Sequence, residues 1–139
     1  MQIEFEVLGE LKGKGRPRFA RVGGYVRTYT DKETTSYEEH IRQSFIASGQ
    51  SPFQEGEALS VSIIAFASIP SSCSNKKKKE MLAGRIRPIK KPDPDNIAKI
   101  VLDSLNKVAF KDDTQVIHLS VEKWYAEMPK LIVRITDSK

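Results

Sequence analysis

Residues Leu59 to Ile69 constrain the fold more than any other stretch of this chain. The run Leu-Ser-Val-Ser-Ile-Ile-Ala-Phe-Ala-Ser-Ile is rich in Val, Ile, Phe and Ala and carries no charge. Such a β-branched, uncharged segment reads as a central strand buried on both faces. A sheet must then be assembled around it. Ile3–Leu8 alternates apolar and polar residues, which predicts a strand with one buried face. Gly23-Gly24 predicts a hairpin turn between Phe19–Val22 and Tyr25–Tyr29. Val116–Glu127 and Leu131–Thr136 read as a closing antiparallel pair around Met128-Pro129.

Three helices are expected beside this sheet. Thr30 or Asp31 can cap the first, whose apolar face includes Tyr37, Ile41 and Phe45, and Ser48-Gly49 and Ser51-Pro52 end it. Ser74 caps a short basic helix that ends near Gly84. The third begins at Asp93 and runs to about Val108, burying Ile97, Val101, Leu105 and Val108. Residues 85–92 hold Pro88 and Pro92 and read as a loop. Hairpins with segregated helices imply an α+β class: a single small domain over residues 1–139, with helices packed on a mixed or largely antiparallel sheet.

At 139 residues and 39% hydrophobic content the chain suits one globular core. No apolar run approaches the ~18 residues of a membrane span, and the start lacks a secretory pattern. The expected setting is the cytoplasm, with no membrane partner. Cys73 is the only cysteine, which excludes an internal disulfide and a cysteine-based zinc site. His40 and His118 are far apart in sequence and read as surface or partly buried residues rather than metal ligands.

The net charge is +5, and its distribution carries more information than its size. Residues 12–27 hold six Lys/Arg and no acid; residues 76–91 hold eight and one acid, Glu80. Together they carry 14 of the 23 basic groups. Two basic segments around an acidic centre form an electrostatic footprint for a polyanion. The lysines from Lys76 to Lys79 are explained equally well as a solvated helix face. Lys12, Lys14, Arg16, Arg18 and Arg21, spaced by glycines and a proline, favour phosphate contact. The candidate DNA-binding set is Lys14, Arg16, Arg18, Arg21, Lys76, Lys77, Lys90 and Lys91.

The acidic centre is Asp93-Pro94-Asp95, followed by Asp112-Asp113. Crowded carboxylates destabilise one another unless a cation lies between them. In an extended Asp-Pro-Asp segment residues i and i+2 face one side, so both carboxylates can converge on one ion. A plainer explanation exists for the first acid, because Asp93 as N-cap with Pro94 at the first helical position is a good helix start. It leaves the second acidic pair unexplained. Lys99 lies one turn beyond Asp95, where it either pairs with Asp95 or Asp103 or faces a phosphate. Adjacent residues on an extended segment point to opposite faces, so only one of Asp112 and Asp113 should reach the site. The expected carboxylate cluster is Asp93, Asp95 and Asp113, close enough to share a metal, with Asp112 the less certain member. An EF-hand is excluded, because counting from Asp93 puts Ala98 and Ser104 where glycine and glutamate are required. Oxygen donors of this kind suit Mg²⁺, with Mn²⁺ able to substitute.

Lys-Pro-Asp-x-Asp-Asn-x-x-Lys, then Leu-Asp-x-Leu-Asn, then Asp-Asp-x-Gln-Val, resembles the RusA family of Holliday junction resolvases. The match is densest from Lys90 to Val116, and an Arg/Pro-rich loop at Gly15-Arg16-Pro17-Arg18 also agrees. The resemblance implies a small homodimeric endonuclease that cuts four-way junction DNA with a divalent metal, of a kind common in prophages. It implies essential acids at Asp93, Asp95 and Asp113 and an essential lysine at Lys99. Asn96, Asp103 and Gln115 become supporting residues. The chain carries extra length between the Leu59–Ile69 strand and the motif. The alternative reading is a non-catalytic DNA-binding protein that keeps the fold, and a third is a nuclease acting on flaps or RNA ends.

Overall fold

The computed structural model describes residues 1–15, 18–29 and 31–137, with Arg18, Val22, Arg27 and Tyr29 described by their backbone alone. The element order is β1 (Gln2–Leu8), β2 (Arg18–Val22), β3 (Tyr25–Tyr29), α1 (Lys32–Ala47), β4 (Leu59–Ser68), α2 (Asn75–Leu82), α3 (Pro94–Leu105), β5 (Val116–Ala126) and β6 (Lys130–Asp137). A 3-10 turn at Asp113–Gln115 leads into β5. This is the α+β arrangement that the residue patterns imply.

The four long strands form one mixed sheet in the order β1-β6-β4-β5, and β2 and β3 form a separate hairpin. β6 runs antiparallel to both β1 and β4, whereas β5 runs parallel to β4. The closing pair expected around Met128-Pro129 is therefore not a pair, since β4 lies between β5 and β6. The three residues Glu127–Pro129 cross the end of β4. Two strand spacings are about 10 Å, within the reach of three extended residues. The long excursion through α2 and α3 supplies the crossover that a parallel β4–β5 pair needs.

β4 is internal, but only one of its faces is fully buried. Leu59, Val61, Ile63 and Ala65 are closed off, while Ser60, Ser62, Ile64 and Phe66 are half-buried. The expectation of burial on both faces fails because α1 and α3 both cover the same side. There Tyr37, Ile41 and Phe45 of α1 and Ile97, Ile100, Val101 and Leu105 of α3 join Ile3, Phe5 and Val7 of β1 in one core.

Local signals account for the helix boundaries. Asp31 caps α1, its carboxylate accepting from the Thr34 N–H at 2.8 Å, and Ser74 caps α2 through the Lys77 N–H. Asp93 stands at the α3 N-cap position with Pro94 following, yet its side chain makes no capping hydrogen bond. α3 stops at Leu105 rather than near Val108, because Asn106 is extended and Lys107 takes a positive φ of 66°. Val108 still packs against the core from the turn that follows.

Candidate active site

α3 presents its apolar stripe to the sheet and a charged stripe to solvent. Asp95, Lys99 and Asp103 follow one another at intervals of four, so they share a face spanning about 12 Å. Lys99 is 60% exposed, and its ammonium lies 3.6 Å from Asp103. Asp93 and Asp95 are exposed at the helix start. Because Asp93 makes no cap bond, its carboxylate is not consumed by the helix.

The second acidic pair is held by the turn before β5. Gln115 organises it: its amide oxygen accepts from the Lys111 and Asp112 N–H groups at 3.2 Å, and its amide nitrogen donates to the carbonyls of Gln54 and Glu57. The two aspartates stay in side-chain contact with each other but differ in their surroundings. Asp112 is exposed, and its carboxyl is lowered mainly by a hydrogen bond from the Thr114 side chain, with Lys107 helping. Asp113 is half-buried. Desolvation pushes its carboxyl above the ordinary aspartate range, Asp112 and Asp103 add to the rise, and Lys99 opposes it. Asp113 thus feels its neighbour Asp112 first and then Asp103 and Lys99 of the α3 stripe, whereas Asp112 feels Thr114 and Asp113 first and Lys107 least.

Among the described residues no three His, Cys, Asp or Glu side chains converge closely enough to hold a metal. The expected ready-made cluster of Asp93, Asp95 and Asp113 is not assembled. The donors fit a divalent ion in chemistry, since they are all carboxylates and one is left uncapped. Their spacing along α3 and the neighbouring turn leaves them apart.

The basic loop before β2 is fastened directly to this helix. The Lys14 N–H donates to the Asn96 carbonyl at 3.1 Å. Gly13 passes so close that a Cβ there would sit 2.9 Å from the Asn96 Cβ and 3.0 Å from the Pro92 Cβ, so only glycine fits without a shift. The Lys14 side chain turns inward. Its ammonium lies 2.8 Å from Glu38 of α1 and 3.4 Å from Asp103 of α3. Burial alone would lower its pKa; the hydrogen bond and charge of Glu38, with Asp103, outweigh this and raise it. Lys14 is therefore an internal tie between helices rather than a group held out to solvent.

The other basic candidates are distributed along the surface. Arg21, Lys76, Lys77, Lys90 and Lys91 are exposed, Arg16 lies outside the described residues, and Arg18 is described by its backbone alone. Sequence reasoning missed Glu38, because nothing in the α1 pattern reveals its facing α3. It also missed Trp124 and Tyr125 of β5, which carry the 85–92 loop: the Arg87 guanidinium lies 3.3 Å from the Trp124 ring centre, and the Lys90 ammonium 5.8 Å from that of Tyr125. The usable signal was the chain's single tryptophan close to a basic loop.

Comparison with known families decides the setting of these residues. The model of the family described as endodeoxyribonuclease RusA matches residues 9–136. The chain belongs to the RusA family. It is also 36% identical, over 97% of its own length and 96% of the other's, to the uncharacterized protein YqaN of Bacillus subtilis (strain 168). RusA-family membership makes endonucleolytic action on DNA, in recombination, the general activity of the family. Among the described residues no helix is long and apolar enough to cross a membrane.

Proposed function

We propose that this protein is a structure-selective endodeoxyribonuclease that resolves Holliday junctions by paired symmetric cuts, acting as a homodimer in the cytoplasm. One observation carries the reading. A RusA-family chain brings Asp113 within electrostatic reach of Lys99 and Asp103, which share a face of α3 with Asp95, and this supports the reading.

Asp93, Asp95 and Asp113 are the residues that would hold a divalent ion, with Asp112 at the margin. When bound, Mg²⁺ or Mn²⁺ supplies positive charge to the attacked phosphate and lowers the pKa of water beside it. Lys99, exposed on the same stripe, faces the scissile phosphate and stabilises the negative charge that grows there during attack. Asp103 holds the Lys99 ammonium near that position, and Gln115 keeps the acidic turn in place. The exposed cations Arg21, Lys76, Lys77, Lys90 and Lys91, with Arg16 and Arg18, grip phosphates of the arms and supply affinity with little sequence information. Resolution needs two cuts, and a two-fold dimer matches the approximate symmetry of a junction.

The test is cleavage of a panel of four-way, three-way, flap and linear DNAs with Mg²⁺ or Mn²⁺, alongside light scattering to weigh the protein. Symmetric nicks confined to the four-way substrate support the reading. Binding of all substrates with cleavage of none would leave a DNA-binding protein that keeps the fold.

A further inference from the structure

Ile89 is 97% exposed, the most exposed of the large hydrophobic side chains in the described residues. A lone exposed isoleucine needs no explanation in general. The mounting of this one does. On its N-terminal side Pro88 is buried, and the Arg87 guanidinium stacks on Trp124 while its Nε donates to the Lys123 carbonyl at 2.7 Å. On its C-terminal side the Lys90 carbonyl accepts from the Lys123 ammonium at 2.6 Å. The Trp124 ring packs against Gly84, where a Cβ would approach it to 2.8 Å; that residue also has a φ of +80°, so glycine is required twice over. Both ends of the loop are thus clamped to β5, an outer strand of the sheet. Ile89 is held out at the tip with much of its ordering already accomplished.

Its surroundings indicate what it meets. Arg85, Arg87, Lys90 and Lys91 are all exposed and surround it in sequence. An apolar tip among cations matches a base step, where stacked apolar faces lie between two lines of phosphate. Intact duplex hides those faces, whereas a branch point leaves base pairs with a stacking partner missing or weakly held. Apolar side chains inserted between base steps unstack them and kink the helix. Asp93 follows Ile89 by four residues, so at most about 14 Å of chain separates the tip from the acidic motif.

We propose that Ile89 is a wedge that enters the open base step at the branch point of junction DNA and sets the adjoining phosphodiester beside Asp93 and Asp95. The inference rests on the reading of the protein as a junction nuclease. It adds a residue that discriminates branched from linear DNA before any bond is cut.

The experiment uses the full chain and a four-way junction carrying 2-aminopurine beside the branch point, in EDTA so that no cleavage occurs. The unmodified protein is expected to raise the fluorescence of the junction but not of a matched linear duplex. Ile89→Ser should abolish most of that rise, and Ile89→Met should retain it. Ile89→Ser should also lower the ratio of junction to duplex affinity by about tenfold, the equivalent of about 1.4 kcal/mol. Its melting temperature should stay within about 2 °C of the parent, because the side chain is exposed. An unchanged fluorescence rise and affinity ratio in Ile89→Ser would overturn the proposal, as would a parent protein that leaves 2-aminopurine stacked. Conversion of a dimer to a monomer by the same substitution would also overturn it, by assigning Ile89 to self-association. Failure of the parent to cut any branched DNA with Mg²⁺ or Mn²⁺ would sink the nuclease reading instead, and the EDTA measurement separates the two.

Discussion

Replacing Lys14 with methionine tests whether charge joins the basic loop to the acidic helix. The ammonium sits 2.8 Å from Glu38 and 3.4 Å from Asp103, on a side chain only 17% exposed. At an effective dielectric constant of about 20, the gross attractions at these distances are roughly 6 and 5 kcal/mol. Desolvation and side-chain ordering offset most of that. Exposed pairs net about 0.2–1 kcal/mol, and stripping one partner from a buried pair costs about 3–5 kcal/mol. Lys14 lies between these limits, so Lys14→Met should lose about 2 kcal/mol, or about 6–8 °C in melting temperature for a chain of this size. The folded-state pKa of Lys14 is raised above its reference of 10.5, chiefly because Glu38 and Asp103 overcome the opposing effect of burial. A group raised in this way contributes fully below its unfolded value and loses its contribution as pH climbs through the folded value. The stability gap between parent and variant should therefore stay constant from neutral pH to pH 9 or so and close only above about pH 10.5. Urea denaturation of Lys14→Met, Glu38→Gln and the double variant supplies the cycle. A coupling of about 1 kcal/mol or more is expected; additivity within about 0.5 kcal/mol would refute the tie.

Asp95→Asn should abolish cleavage yet bind junctions as well as the parent or slightly better, because the amide removes repulsion of the phosphate but is a poor cation ligand. Gel-shift and cleavage assays on the same preparation check this, and full activity would leave Asp95 a mere helix-start residue. Asp113→Asn should lose cleavage by about a hundredfold or more while Asp112→Asn loses less than about tenfold, since of the two only Asp113 feels Asp103 and Lys99 of α3; equal losses would mean that the two hydrogen-bonded carboxyls act as a pair. Junction affinity should fall with salt on a log–log slope of roughly −5 for about six phosphate contacts, and neutralising Arg16 with Arg18 should flatten it by about two units. An unchanged slope would remove that loop from the DNA-binding surface.

Elements whose identity depends on local pattern were legible in the residues. Alternation in β1, capping by Asp31 and Ser74, and the four-residue apolar spacing of α1 and α3 all reappear in the structure. Strand neighbours were not legible. Met128-Pro129 suits a hairpin turn as well as a crossing over the end of β4, and no residue in it distinguishes them. The second face of β4 misled for a related reason: Ile64 and Phe66 are apolar, but α1 and α3 lie together on the opposite side. At the site, the acids and Lys99 stood out because acidic pairs are conspicuous in a basic chain. The inward turn of Lys14 did not, because it depends on Glu38, which approaches from another helix.

The candidate acids are positioned by groups that lie outside the proposed chemistry. The α3 stripe is fixed by its buried side, where Ile97, Val101 and Leu105 enter the common core. The Asp113 turn is fixed from below by Phe110, which is 2% exposed, and by the Ala109 carbonyl, which accepts from the Phe53 N–H at 2.8 Å. It is fixed laterally by Gln115, whose amide reaches the Gln54 and Glu57 carbonyls. The two acidic supports are thus anchored independently, one in the helix layer and one on the segment before β4. Bringing their carboxylates together works against mutual repulsion; the upward shift of Asp113 comes chiefly from desolvation and from Asp112, with Asp103 of α3 adding a smaller share. A ligand that lies between them with positive charge would remove that repulsion.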